Sequence, residues 1–186
     1  MKNALIIIVI ILIVVGGIVL IDRGSKNSSE TGSKIDAAAP DFAAGDFNGK
    51  IISKSDYQGK NILLYFNEGV GCPPCWQQVV SLQAEKDKFS SLNTEVLTVV
   101  VDPAATIKST IETYKITSPV LIDDNKKVST DYEVLNMNSS MHMGQKPGHT
   151  FVLIGSDNKI KWVGDYPEMN ASTNEILEKV KASLQG

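Results

Sequence analysis

Cysteine occurs twice in this 186-residue chain, histidine twice and arginine once. Cys72 and Cys75 alone cannot complete a structural zinc site, and His142 and His149, which alone could supply the rest, are badly spaced for it. Such a site takes four Cys or His ligands, and neither the cysteine-to-histidine gap nor the spacing between the histidines follows a zinc-finger pattern. A structural staple is a poor reading as well, because closing so short a loop constrains the unfolded chain little. Basic excess is also missing. A formal net charge of -3 and a pI near 5.4 leave no footprint for nucleic acid. There is no internal repeat, and no low-complexity tract beyond one short polar stretch.

What remains for the cysteines is redox chemistry, the default for a lone Cys-x-x-Cys, here Cys72-Pro73-Pro74-Cys75. The compartment agrees with it. Ala4 to Ile21 is an uninterrupted apolar run close to the length that crosses a bilayer as a helix. A cleaved signal peptide would have a shorter apolar core followed by a small-residue site, whereas this run ends in Asp22-Arg23. Residues 1–21 are therefore read as an uncleaved anchor. Cleavage is the alternative, and either way the remainder would be exported. Lys2 before the span is offset by Arg23 and Lys26 after it, so charge bias gives little guide to orientation. Residues 22–34 lack large apolar side chains and read as a flexible tether. Residues 35–186 then form one ordinary domain, long enough for its own core.

Within that domain the periodicities alternate. Asn61–Phe66 and Glu95–Asp102 are short apolar runs that fit buried strands. Between them, Val79, Leu82 and Phe89 follow Cys72 at helical spacing. Asp102-Pro103 predicts a helix start, with Ile107, Ile111 and Tyr114 as its apolar stripe. "SPVLID" predicts a strand and "KKVSTDYEV" a short helix. "HTFVLIG" and "KIKWVG" predict a hairpin around Ser156–Asn158, and "STNEILEKVKASL" a closing helix. "DFNGKIISKSDYQGK" predicts a small hairpin around Asn48-Gly49. The succession implies an α/β domain with a mixed sheet.

"APDFAAGDFNGKIISKSDYQGKNILLYF" followed by "CPPC" closely resembles the entry of the thioredoxin-like redoxins. That group includes the AhpC/TSA-related peroxiredoxins and the TlpA-like membrane-anchored thiol-disulfide oxidoreductases. The resemblance runs from about Ala39 to Tyr166. It implies a thioredoxin-like fold, a central mixed sheet flanked by helices, with the active disulfide at the amino end of a helix. It further implies that Cys72 is the exposed nucleophile and Cys75 the shielded resolving thiol. A helix N-terminus stabilises a thiolate through unpaired N-H groups and partial positive charge. Pro73 and Pro74 remove two such donors, which points to a reducing or isomerising role. No cofactor is implied. The expected partners are disulfide-bearing exported proteins, a membrane thiol donor and, through the anchor, the lipid bilayer.

The departures from the pattern matter equally. A typical peroxiredoxin carries Pro and Thr/Ser where this chain has Tyr65 and Gly69, and it uses an arginine to polarise peroxide; here the only arginine is Arg23. Cytochrome-maturation reductases commonly have a carboxylate three residues after the second cysteine, where Gln78 stands. Glu68 is the nearest carboxylate in sequence. It is either a proton relay for Cys75 or a solvated loop residue. His149 occupies the usual cis-proline position, with Pro147 two residues earlier. As imidazolium it would lower the Cys72 pKa. As imidazole it would either hydrogen-bond or join Cys72 and Cys75 in a copper site resembling that of the Sco-type chaperones. Met137, Met141, His142 and Met143 add soft ligands upstream. Trp76 is expected to pack beside the helix and keep water from the disulfide.

Overall fold

The computed structural model describes residues 34–169 and 171–185. The expected anchor over 1–21, and all of the expected tether except Lys34, lie outside them. Among the described residues no helix is long and apolar enough to cross a membrane.

In chain order the elements are β1 (Ala43–Asp46), β2 (Ile51–Ser53), a 3-10 turn (Lys54–Tyr57), β3 (Asn61–Phe66), α1 (Pro73–Ala84), α2 (Lys86–Ser91), β4 (Thr94–Val100), α3 (Ala104–Tyr114), β5 (Val120–Ile122), α4 (Lys127–Asp131), β6 (Thr150–Ile154), β7 (Ile160–Asp165) and α5 (Thr173–Gln185). The strands form one mixed sheet in the order β2-β1-β5-β4-β3-β6-β7. β3 runs parallel to β4 and antiparallel to β6. This is the thioredoxin-like architecture.

β3 is buried at every position, as a central strand covered on both faces must be. Its alternation divides the core. Leu63 and Tyr65 join Trp76, Val79, Leu82, Ile107, Ile111, Ile176 and Val180 on the face covered by α1, α3 and α5. Ile62, Leu64 and Phe66 join Phe42, Leu97, Val99, Tyr132 and Val152 on the other. The early hairpin forms as the sequence predicts: the Asp46 carboxylate accepts the Asn48 and Lys50 N-H groups, each at 2.8 Å, and Gly49 turns the chain at φ +82°.

One expectation needs correction. The helix after Cys72 does not run on to Phe89. It stops at Glu85 (φ -101°, ψ 15°), and the short α2 begins from the same residue, which brings Phe89 into the core. The helix that Asp102-Pro103 predicts does start there, as α3. Pro103 takes the N-cap position of α3 with no side-chain cap bond, and β4 has ended at Val100, so the Asp102 carboxylate is free to serve elsewhere.

Candidate active site

β3 delivers its chain to a tight loop, Asn67–Gly71, which leads into α1. Cys72 is the N-cap of α1, with Pro73 and Pro74 in its first turn. Cys72 and Cys75 are joined in a disulfide, their Cα atoms 5.3 Å apart. Cys72 keeps 4% of its surface and Cys75 none. The expected order of accessibility is therefore present, but Cys72 is far less exposed in the disulfide than the sequence suggests. Pro73 and Pro74 beside it are exposed.

The amide donors of this helix start are spent. Pro73 and Pro74 have none, and the N-H groups of Cys75 and Trp76 both point at the Cys72 carbonyl oxygen, at 3.1 and 3.4 Å. Trp76 is buried as expected. Its indole N-H donates to the Gly69 carbonyl at 2.9 Å, tying the loop down onto α1.

Gly69 has φ +74°, and a side chain there would collide with the Asp102 carboxylate. That carboxylate accepts the Val70 N-H at 3.2 Å and pairs with Lys146 Nζ at 3.0 Å, while Lys146 also donates to the Glu68 carbonyl at 2.9 Å. Glu68 is buried, not a solvated loop residue. One carboxylate oxygen accepts the Met141 N-H at 2.5 Å, and the other lies 3.4 Å from His142 Nδ1. Glu68 thus binds the 141–146 loop to the loop that carries Cys72.

His149 enters β6 from the opposite side and is wholly buried. Its Nδ1 lies 2.9 Å from the Tyr65 hydroxyl and its Nε2 3.3 Å from Gln78 Oε1; the same hydroxyl is 3.4 Å from the Cys75 carbonyl oxygen. Burial pushes the imidazole down to about 4, against a weaker opposing pull from Asp165, so the ring is neutral near pH 7. An amide oxygen only accepts. Nε2 therefore carries the proton toward Gln78, and Nδ1 accepts from Tyr65, whose own ionisation burial holds well above its usual range. The neutral ring removes the imidazolium route to a lower Cys72 pKa.

Nor does the structure assemble Cys72, Cys75 and His149 as a copper set. Both ring nitrogens are engaged, and among the described residues no group of three or more His, Cys, Asp or Glu side chains is placed to hold a metal. Met137 is buried in the core, apart from the exposed Met141 and Met143. Asp102, Lys146 and the Tyr65-Gln78 bracket around His149 carry no local sequence signal. Their partners are 32 to 84 residues away in the chain.

The chain matches the AhpC/TSA family over residues 35–163. It is 30% identical over 154 residues to peroxiredoxin 2 of Picrophilus torridus, covering 77% of this chain and 72% of that one. It is 29% identical over 154 residues to the thiol-disulfide oxidoreductase ResA of Bacillus cereus, covering 82% of each. It spans about half the length of the chloroplast peroxiredoxin Q proteins it also matches. Among solved structures, AhpC of Enterococcus faecalis superposes with a TM-score of 0.71 at 21% identity, over 81% of this chain and 92% of that one, a likeness of fold.

Proposed function

Because the chain belongs to the AhpC/TSA family and is a thiol-based redox enzyme, we propose that it reduces or exchanges protein disulfides through Cys72 and Cys75 outside the cytoplasm, held to the membrane by its N-terminal apolar run. The observation that carries this reading is the first turn of α1, which has no unspent amide donor to offer a Cys72 thiolate. Only the helix dipole then stabilises that anion. A less stabilised thiolate means a less stabilised reduced form and a lower reduction potential, the poise of a reductant.

In the cycle, the Cys72 thiolate attacks a substrate disulfide, forming a mixed disulfide and releasing one substrate thiolate, which takes a proton. Cys75, after losing its own proton, attacks Cys72 Sγ. That forms the Cys72–Cys75 disulfide and releases the second substrate thiolate, so two electrons have passed to the substrate. A membrane thiol donor then returns two electrons by the same exchange in reverse. The chemistry asks for no cofactor. Glu68 acts by positioning the Cys72 loop, and neutral His149 by positioning α1 through Tyr65 and Gln78.

The relatives' names divide between peroxiredoxins and disulfide oxidoreductases. The place where a peroxiredoxin holds its Thr/Ser hydroxyl is here filled by the Asp102 carboxylate against Gly69, an acceptor where a departing hydroxide needs a donor. This favours protein disulfides over peroxide.

A trapping experiment tests the reading. Cys75→Ala should accumulate mixed disulfides through Cys72 with exported proteins, and Cys72→Ala should trap few. Equal trapping by both variants, or none by either, would overturn the assignment.

A further inference from the structure

Tied to Glu68 in the loop before the redox pair, the 135–148 segment presents Met141, His142 and Met143 in succession. Met141 is 66% exposed, Met143 58%, and the His142 side chain 56%. Large thioethers left in water gain nothing from packing, whereas the backbone around them is tied by several hydrogen bonds. The Met141 N-H goes to Glu68, the Gly144 N-H to the Leu135 carbonyl at 2.8 Å, and the Gln145 and Lys146 N-H groups to the His142 carbonyl at 2.8 and 3.0 Å. Ser140 Oγ accepts the His142 N-H at 3.2 Å and donates to the Lys146 carbonyl at 2.7 Å. The turn is held by its backbone hydrogen bonds, and these three side chains project into solvent.

His142 is also oriented. Its Nδ1 faces the buried Glu68 carboxylate at 3.4 Å. A carboxylate beside one ring nitrogen favours metal ligation through the other. Two exposed thioethers flank the exposed imidazole in the chain, a soft donor set with no exposed carboxylate among its ligands. Such a set selects Cu(I) over Mg2+, Ca2+ or Mn2+.

We propose that Met141, His142 and Met143 form a surface Cu(I) site, separate from the cysteine pair and oriented by Glu68. The site is independent of the disulfide-exchange reading, because none of its ligands belongs to the exchanging pair or to the Tyr65–His149–Gln78 bracket. It also differs from a Cys72–Cys75–His149 copper centre, which would need reduced thiols and a freed, buried histidine.

The test is an anaerobic Cu(I) titration of the purified chain against a colorimetric Cu(I) chelator, with Cys72–Cys75 kept oxidised so that no thiolate competes. One Cu(I) per chain is expected. Met141→Leu/Met143→Leu, which preserves side-chain bulk, should abolish stoichiometric binding. Glu68→Gln should weaken it by about 10- to 100-fold through the lost orientation of His142. Cys72→Ser/Cys75→Ser and His149→Gln should leave it intact. Circular dichroism of each variant separates loss of ligands from loss of fold. The proposal falls if the oxidised chain binds no Cu(I), if the folded double-leucine variant binds as tightly as the parent, or if binding appears only on reduction and vanishes in the double-serine variant. In that last case the thiols are the ligands. Disulfide-exchange kinetics of the double-leucine variant should match the parent, so failure here leaves the redox reading standing.

Discussion

The Tyr65 hydroxyl meets Nδ1 of His149 at 2.9 Å, directly beneath the helix turn that carries the disulfide. β3 supplies the tyrosine and the residue just before β6 the histidine, and Tyr65 stacks on Phe151 of β6 with ring centroids 4.6 Å apart. The contact holds the two strands and the amino end of α1 in one relationship.

Tyr65→Phe should leave a buried, neutral imidazole with an unsatisfied acceptor at Nδ1. Stranding a buried polar group costs about 1–3 kcal/mol. For a domain of this size that corresponds to a fall in Tm of roughly 3–10 °C, measured by calorimetry. An unchanged Tm would show that the bond contributes nothing.

The pH dependence of stability should carry the signature of His149. Its folded pKa is about 4 against 6.5 for an ordinary histidine, so between those values the unfolded chain binds more protons than the folded one. Stability therefore falls as pH drops through 6.5 and the effect saturates below about 4, with a total on the order of 3 kcal/mol. Denaturant melts from pH 7.5 to 5 should show this loss in the parent and a flatter profile in His149→Gln. Identical slopes would mean that the ring is protonated in the folded protein.

Restoring one donor to the first turn should change the chemistry of Cys72. Pro74→Ala returns an N-H at the second position of α1, and a hydrogen bond to a charged group contributes about 1.5–3 kcal/mol. The Cys72 pKa should fall by roughly one to two units, and the pair should become more oxidising. Iodoacetamide alkylation rates against pH, with the potential in glutathione buffers, check both. No shift in either would remove the argument from spent donors.

Gly69→Thr puts the peroxiredoxin residue type at its expected position. At φ +74° and against the Asp102 carboxylate it should destabilise the fold by at least about 2 kcal/mol and bring no rapid peroxide turnover. A stable variant that consumes peroxide rapidly, in a Cys72-dependent manner, would reverse the ranking of substrates.

Several features were legible in the residues alone because local rules govern them. Two cysteines separated by two prolines read as a redox pair before any contact is known, and the family resemblance adds the helix start. β3 announces itself as six consecutive residues that are buried in the fold, and Asp46 to Gly49 announces a turn through backbone chemistry that needs no distant partner. Tertiary structure alone decided the rest. Asp102-Pro103 marks the helix start that forms, but nothing local places the Asp102 carboxylate in the space beside Gly69. Glu68 reads as a loop acid, yet it lies buried against Met141 and His142. His149 reads as a titrating histidine, yet burial keeps it neutral. Hydrophobic period and turn propensity are properties of a few adjacent residues. Desolvation and hydrogen-bond pairing depend on which distant strands and loops the fold brings within about 3 Å, and no local pattern records that.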